Sequence, residues 1–223
     1  MIFNSMNFNE FKLNTLGINM DEFGKIFGFV DFGNVNHWFD KDRYDIAGRL
    51  MNENEFLIVD IEKMGSFLNL FCEKKLFYYG FDSAHKQSWH IHKKAKNCGF
   101  VKVSKPLQII KHYLDNNELN EKILKRLEND GGGYFVKIPK GNFDVEISID
   151  SIRLMDHYNT FCIFSGDSDF AYLAKFLKQK GKKIMVIASG NVFHTLKEQS
   201  DLYINAQQIK GEITCLKRKT PLV

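Results

Sequence analysis

The chain has 223 residues, of which 44% are hydrophobic and 26% are charged, and its formal net charge is +4 at pH 7. This composition excludes a disordered chain, and no apolar run approaches the roughly 20 residues that a membrane-spanning helix requires. The length suits one α/β domain.

The first half of the chain predicts a polar leader followed by short strands and helices. Residues 1–24 are Asn-rich, lack the apolar stretch of a signal peptide, and are expected to form an arm or a short leading helix. Between residues 46 and 70 we expect one or two helices, interrupted at Gly48 and Gly65. A basic helix is expected at Ala84–Asn97, ending before Gly99. Apolar and aromatic runs predict strands at Lys25–Phe32, Lys75–Phe81 and Phe100–Val103.

The second half is more regular, apart from residues 108–139, whose centre predicts a charged helix followed by a Gly loop. Val145, Ile149, Ile152 and Met155 recur at helical spacing within Asp144–Tyr158. Further helices are predicted at Asp169–Gln179, with Phe170, Leu173, Ala174 and Leu177 on one face, and at Asn191–Glu198. Strands are predicted at Thr160–Phe164, Lys183–Ala188 and Leu202–Ile204.

The alternation of short apolar strands and helices indicates right-handed βαβ units. We therefore predict an α/β fold, a three-layer sandwich around a mostly parallel central sheet. The expected organisation is an arm at residues 1–24, a domain at residues 25–210 with a rim insertion at about 108–134, and a tail at residues 211–223.

Acidic side chains follow two of the predicted strands, and another begins a helix. Asp31 ends the first strand, Asp167 and Asp169 follow Thr160–Phe164, and Asp144 opens the helix after Lys140-Gly141-Asn142-Phe143. The carboxyl ends of parallel strands meet over one crevice, so these carboxylates are expected to converge there. Crowded carboxylates repel one another, and a hard divalent ion such as Mg²⁺ or Mn²⁺ would relieve that repulsion. The alternative is that each Asp only caps the helix that follows it.

Four segments together resemble a known family: FVDFGN, KGNFDVEISID, FSGDSDFAYLAKFLKQKGKKIMVIASG and LKEQSDLYINA. The sequence resembles the NYN domain in the LabA-like branch of the PIN-like nuclease superfamily from about Lys25 to Gln208, and it diverges in the middle. The resemblance implies a PIN-like sheet with an acidic centre and Mg²⁺- or Mn²⁺-dependent cleavage of RNA.

The resemblance also implies roles for individual residues. Asp31, Asp144, Asp167 and Asp169 match the catalytic and metal-binding acids, and Asp150 falls on a recurrent acid whose role is less certain. Asn34 matches the polar residue after the first Asp. We expect Asn34, Ser165 and Lys140 to contact water or phosphate of the substrate. A bound ion would activate water and neutralise charge on the scissile phosphate.

Other signals have competing interpretations. Two lysine clusters, at residues 93–111 and 178–183, either bind phosphate or only solvate the surface. His85, His90 and His92 suggest zinc, but no further ligand follows at a suitable spacing, so a polar helix face is preferred. Trp38 and Trp89 could stack on bases, although most aromatic residues must be core.

Three functions remain to be compared. The leading prediction is a divalent-metal-dependent endoribonuclease, and the second is an RNA-binding regulatory module with an inactive or weakly active acidic centre. An Asp-based phosphatase is disfavoured because Gly33 occupies the position that its second Asp requires. Four dispersed cysteines without a CxxC pair favour the reducing cytoplasm.

Overall fold

The computed structural model describes residues 8–82, 86–114, 127–190 and 194–219, and at positions 86, 87, 139 and 140 it describes the backbone alone. The strands are β1 (Ile26–Asp31), β2 (Glu55–Val59), β3 (Cys72–Tyr78), β4 (Val101–Val103), β5 (Gln108–Tyr113), β6 (Glu128–Asn129), β7 (Tyr134–Lys140), β8 (Thr160–Phe164), β9 (Lys183–Ala188), β10 (Leu202–Asn205) and β11 (Thr214–Arg218). The helices are α1 (Phe8–Thr15), α2 (Met20–Phe23), α3 (Phe32–Val35), α4 (Ile61–Leu68), α5 (Lys86–Asn97), α6 (Asp144–Arg153), α7 (Phe170–Gln179), α8 (His194–Gln199) and α9 (Lys210–Ile213).

The central sheet has six strands in the order β10-β9-β8-β1-β3-β4. Every neighbouring pair in it is parallel. Every residue of β1 and β8 is buried, as expected for strands that helices cover on both faces. The prediction of a mostly parallel α/β sheet is confirmed.

Alternating side chains of β1 supply the two cores of the sandwich. Ile26 and Val30 join the cluster that packs with α4, α5 and α9 on one face. Phe27 and Phe29 point to the other face and pack with α6, α7 and α8. Because strand side chains alternate with a period of two, one apolar strand holds both helical layers. The three-layer arrangement predicted from the sequence is therefore confirmed.

The strands and helices nearest the crevice agree well with their predictions. β8 and β9 have the predicted bounds, and α7 buries all four residues of its predicted apolar face. Gly181 follows α7 with a φ of 78°, a left-handed conformation that suits glycine at the end of a helix. Residues 191–193 of the predicted helix lie outside the described part of the chain, and the described part of that helix is α8.

The region between residues 46 and 70 departs from its prediction. It contains a strand, β2, which pairs antiparallel with β11 from the other end of the chain. Gly65 does not interrupt a helix but lies inside α4, where its buried face allows Cys98 and Phe100 to approach closely. Neither feature has a local sequence signal, because both depend on residues far along the chain.

The predicted apolar face of α6 is wrong. The residues of that face that lie on the helix, Val145, Ile149 and Ile152, are 65%, 58% and 40% exposed. The helix instead buries Ile147 and Ser151 against the sheet. Apolar residues occupy more than one side of this helix, so periodicity alone did not identify the side that packs.

The segments outside residues 25–210 contribute to the main core. Leu13, Ile18 and Phe23 from the predicted arm are buried in it, as is Ile213 from the predicted tail. The predicted rim insertion forms much of a separate three-stranded sheet, in the order β5-β7-β6. The charged helix predicted in this segment falls largely on residues 115–126, which lie outside the described residues.

No helix within the described residues is long and apolar enough to cross a membrane. Cys72, Cys98, Cys162 and Cys215 are all free thiols.

The close approach at Gly65 generates a stability prediction. A Cβ added there would lie 2.9 Å from Cys98 Cβ and 3.2 Å from Phe100 Cε2, inside normal contact distance. Gly65→Ala should therefore lower the free energy of unfolding by about 1–3 kcal/mol, measured by urea denaturation. Gly211→Ala is the matched control, because Gly211 is also helical but has no atom within 4 Å of the added Cβ. The control should be neutral or stabilising, and equal stability of the two variants would contradict close packing at α4.

Candidate functional site

The strand order of the sheet creates one crevice at its carboxyl edge. The neighbouring strands β1 and β8 lie at the centre of the sheet. The next strand of this sheet after β1 is β3, on one side, and the next after β8 is β9, on the other. Helices leave the sheet in opposite directions at such a switch point, and ligands bind there in open α/β sheets. A cavity of about 400 Å³ occupies this position. We call it the acidic crevice, and its polar and charged lining includes Asp31, Asn34, His37, Tyr79, Asn142, Asp144 and Asp167.

Three of the predicted acids form a compact cluster. Asp144, Asp167 and Asp169 each offer one carboxylate oxygen, and these atoms all lie within 4.8 Å of one another. Two oxygens on opposite sides of one Mg²⁺ or Mn²⁺ ion are separated by about 4.2 Å. Carboxylate oxygens are also the ligands that such hard ions prefer. The donor set therefore fits a divalent ion with small side-chain rotations.

Asp31 lies deeper in the acidic crevice and is only 9% exposed. Burial raises its pKa to about 6, and repulsion from Asp144 and Asp167 adds to this effect. The nearby backbone N–H of Asn34 and the hydroxyl of Ser165, which donates to Asp31 Oδ2, oppose the increase without cancelling it. Burial and the neighbouring acids thus disfavour the ionised form of Asp31. A bound cation would stabilise that form by offsetting the negative charge.

Helix capping does not account for Asp169 or Asp31. Asp169 makes no side-chain capping bond to α7, and Asp31 approaches the N–H of Asn34 without the geometry of a capping hydrogen bond. The N–H of Asp144 donates to Asn142 Oδ1 at 2.9 Å, so Asn142 serves the start of α6. Asp167 does have a local role, because its Oδ1 accepts from the N–H of Asp169 at 3.0 Å.

A true cap elsewhere in the chain shows the difference. Asp60 also follows a strand, and its carboxylate accepts from the N–H groups of Glu62 and Lys63 at 2.9 and 3.2 Å. Its backbone is extended, with φ of −94° and ψ of 114°. Asp31 lacks such bonds at φ of −75° and ψ of 86°. The capping alternative therefore describes Asp60 and not Asp31.

The polar residues that were expected to contact substrate mostly hold the protein together. Ser165 is fully buried, donates to Asp31 Oδ2 at 3.3 Å and accepts from the N–H of Asp167 at 3.3 Å. Asn34 Oδ1 accepts from Trp38 Nε1 at 2.8 Å and from the N–H of Gly166 at 3.3 Å. Lys140 ends β7, and its side chain lies outside the described part of the structure.

Asp150 is held apart from the carboxylate cluster. Its Oδ2 accepts from the hydroxyl of Tyr78 at 3.0 Å, and its Oδ1 pairs with Arg153 Nη2 at 2.7 Å. Burial and the adjacent Asp150 carboxylate raise the pKa of Tyr78, so that hydroxyl remains a donor. Asp150 thus ties α6 to β3 from a position six residues, or about 1.7 helical turns, beyond Asp144.

Sequence reasoning missed His37 as a functional residue and did not assign Tyr79 to the crevice. His37 follows Asn34 by three positions, the spacing that places two helical residues on one side, and its Nδ1 lies 2.8 Å from Asp40 Oδ2. Tyr79 enters from the end of β3. The spacing signal at His37 was available in the sequence, whereas the position of Tyr79 depends on the order of strands in the sheet.

The two lysine clusters differ in their surroundings. The cluster at residues 178–183 lies at the end of α7 and the start of β9, the opposite edge of the sheet from the acidic crevice. It is partly neutralised, since Lys178 pairs with Asp201 at 3.0 Å and Lys183 with Glu22 at 2.6 Å. In the other cluster Lys105 pairs with Glu146 at 2.7 Å, beside the crevice residue Phe143. Of the two clusters, the one at residues 93–111 is therefore the one that reaches the acidic crevice.

Comparisons with known proteins agree with this architecture. The sequence model of the NYN domain family matches residues 26–207. The low amplitude and bright protein LabA of Synechococcus elongatus is 32% identical over 105 residues, which are 46% of this chain and 55% of that protein. The match therefore spans about half the length of this curated relative.

A solved structure shows the same fold. The crystal structure of a protein of unknown function from Vibrio parahaemolyticus superposes with a TM-score of 0.54 at 19% identity. The superposition covers 86% of this chain and 96% of that one. At this identity the likeness concerns the fold alone.

The raised pKa of Asp31 predicts how stability depends on pH. The group titrates at about 6 in the folded protein and near 3.8 ordinarily, so the folded state binds its proton more tightly. In metal-free buffer with chelator, the free energy of unfolding should therefore fall as pH rises from about 4 through 6. Asp31→Asn should remove this loss and raise the free energy of unfolding at pH 8 by about 2–3 kcal/mol, with little change near pH 4. Urea denaturation at both pH values measures the difference.

Asp60→Asn is the matched control, because its effect should have the opposite sign. Burial raises the pKa of Asp60, but the N–H groups of Lys63 and Glu62 and the charge of Lys94 lower it overall. Ionised Asp60 therefore stabilises the fold above about pH 4, and its Asn variant should be less stable than the parent at pH 8. A destabilised Asp31→Asn protein at pH 8 would contradict the repulsion inferred for the acidic crevice.

Proposed function

The chain belongs to the NYN domain family, and we propose that it is a divalent-metal-dependent endoribonuclease that hydrolyses RNA phosphodiesters in the acidic crevice. One observation carries the proposal: one oxygen from each of three carboxylates lies within 4.8 Å of the others, beside a buried fourth carboxyl group, and neither Asp31 nor Asp169 forms a side-chain helix cap. The residues proposed to hold the ion are Asp31, Asp144, Asp167 and Asp169.

The choice of Mg²⁺ or Mn²⁺ follows from the donors. All four side chains are carboxylates, and within the described residues no Cys or His joins the cluster as a softer ligand. When bound, such an ion lowers the pKa of water and offsets negative charge on the phosphate. Among the described residues that line the crevice there is no Ser–His–Asp or Cys–His set that would support a covalent route.

The chain's own residues prepare the site in two ways. Asp31 carries its proton below about pH 6, so an arriving cation must displace that proton, and Ser165 keeps Asp31 Oδ2 oriented meanwhile. His37, whose Nδ1 is held by Asp40, presents its other ring nitrogen as a group that can contact a phosphate oxygen. Asn34 acts through Gly166, since it positions the loop that carries Asp167.

A substitution at Asp167 tests the proposal directly. Asp167→Asn should reduce Mn²⁺-dependent cleavage of single-stranded RNA by at least about 100-fold, because loss of a ligand costs more than the 10- to 100-fold typical of outer-shell changes. Asn can still accept the N–H of Asp169, so the start of α7 is preserved. In chelator the melting temperature should be unchanged or higher, since repulsion is relieved. Added Mn²⁺ should stabilise the parent much more than this variant.

Asp156→Asn is the matched control for charge, because Asp156 is an exposed acid on the turn after α6. It should retain the parent's activity and its stabilisation by Mn²⁺. Full activity of Asp167→Asn, or no stabilisation of the parent by millimolar Mn²⁺, would overturn the nuclease proposal. RNA binding without cleavage by the parent would favour a regulatory RNA-binding module instead. Hydrolysis of a chromogenic phosphomonoester in preference to RNA would favour a phosphatase.

A further inference from the structure

A second cavity lies beside the acidic crevice, between α5 and β4. Its volume is about 670 Å³, within the range of roughly 300–1,000 Å³ typical of small-molecule sites. We call it the basic groove. Its polar and charged lining consists of Trp89, His92, Lys93, Lys96 and Lys102.

The groove is built by one side of α5. Trp89, His92, Lys93 and Lys96 follow one another at spacings that place them on the same helical face. Trp89 is 64% exposed, an unusual position for a large aromatic side chain. The three lysines of the groove are exposed, and none of them forms an ion pair with another described residue.

His92 is the least expected component. It is only 5% exposed, and neither Nδ1 nor Nε2 makes a hydrogen bond of good geometry to a described residue, although the backbone of Gly80 lies close to the ring. Leaving a buried polar group without a partner costs roughly 1–3 kcal/mol, so such groups are rare in folded proteins. Burial lowers the pKa of His92, and the charge of Lys102 lowers it further. The nearby backbone of Gly80 opposes this shift without cancelling it, so the ring stays neutral with one donor and one acceptor.

Zinc does not explain this histidine. His90, two positions earlier, is exposed while His92 is buried, so the two rings do not converge. His85 lies outside the described residues. Within the described chain the side chains that could share an ion are Asp144, Asp167 and Asp169. An aromatic face, three cations and a neutral donor–acceptor ring instead match a nucleotide, which presents a base, a phosphate and a polar base edge.

We propose that the basic groove binds one nucleotide of the RNA strand whose neighbouring phosphodiester enters the acidic crevice. The base stacks on Trp89, its polar edge pairs with His92, and the lysines hold the phosphates. The two sites are adjacent, because the ring of Tyr79 lines the acidic crevice and lies 5.7 Å from the ring of His92. This inference rests on the proposed function, since it takes RNA to be the ligand.

Binding measured in chelator tests the groove without cleavage. Anisotropy of a labelled single-stranded RNA should show that Trp89→Ala weakens affinity about tenfold or more, as expected for loss of a stacked base. Tyr172→Ala is the matched control, because Tyr172 is an 83% exposed aromatic residue on α7. Lys96→Ala should flatten the salt dependence by about 0.7 log units per decade, whereas Lys180→Ala at the far edge should not.

His92→Leu separates binding from folding. Replacing a buried ring that lacks a well-aligned hydrogen bond with an apolar side chain should leave the melting temperature unchanged or raise it, while RNA affinity falls. Unchanged affinity in both Trp89→Ala and His92→Leu would overturn the proposal. Competition by adenosine monophosphate as strong as that of longer RNA would assign the groove to a free nucleotide and overturn the strand assignment.

Failure of the proposed function would look different. Asp167→Asn leaves the basic groove intact, so it should bind RNA at least as tightly as the parent. A parent that binds RNA through Trp89 but does not cleave it would overturn the nuclease proposal and support the groove. If instead the parent cleaves RNA and Trp89→Ala binds RNA as tightly as the parent, the nuclease proposal would be supported and the groove proposal overturned.

Discussion

Repulsion among carboxylates at the carboxyl ends of β1 and β8 is the constraint on which the rest of the site depends. Asp31 is buried where Asp144 and Asp167 add to the difficulty of ionising it. Such an arrangement persists only if the surrounding structure is stable enough to impose it. The fully buried strands β1 and β8 provide that support, because each is fixed by parallel neighbours on both sides and by apolar packing on both faces.

The polar residues next to the acids act mainly by positioning them. Ser165 joins Asp31 to the N–H of Asp167, and Asn34 joins α3 to Gly166. Both links join the β1–α3 junction to the loop after β8, so they fix the distance between two acidic strand ends. Assigning these side chains to substrate contact, as sequence position suggests, overlooks that their oxygen atoms already serve the protein. A rigid support of this kind is what a metal centre requires.

The parts predicted well from sequence are those whose signal is local. β8, β9 and α7 are short, strongly apolar and bounded by glycine or polar residues, and their bounds and buried faces agree with the structure. β2 was missed because its partner is β11, more than 150 residues away, and because one of its faces is exposed. The same limit applies to the site. The sequence places Asp31 and Asp60 alike after a strand, and only the backbone angles that follow decide which one caps a helix.

The acidic crevice and the basic groove have opposite charge, so in the proposed nuclease they would separate binding of the strand from its cleavage. An RNA phosphate is attracted to Lys93, Lys96 and Lys102 without any added ion, but at the carboxylate cluster it meets like charge. Two unit charges 4 Å apart interact by about 1 kcal/mol in water and about 4 kcal/mol at an effective dielectric of 20, so a partly desolvated crevice excludes phosphate strongly. A bound cation reverses the sign of that interaction at the crevice alone. Divalent metal would therefore control the entry of the phosphodiester to the acids, while affinity for the strand would reside at the basic groove beyond Tyr79.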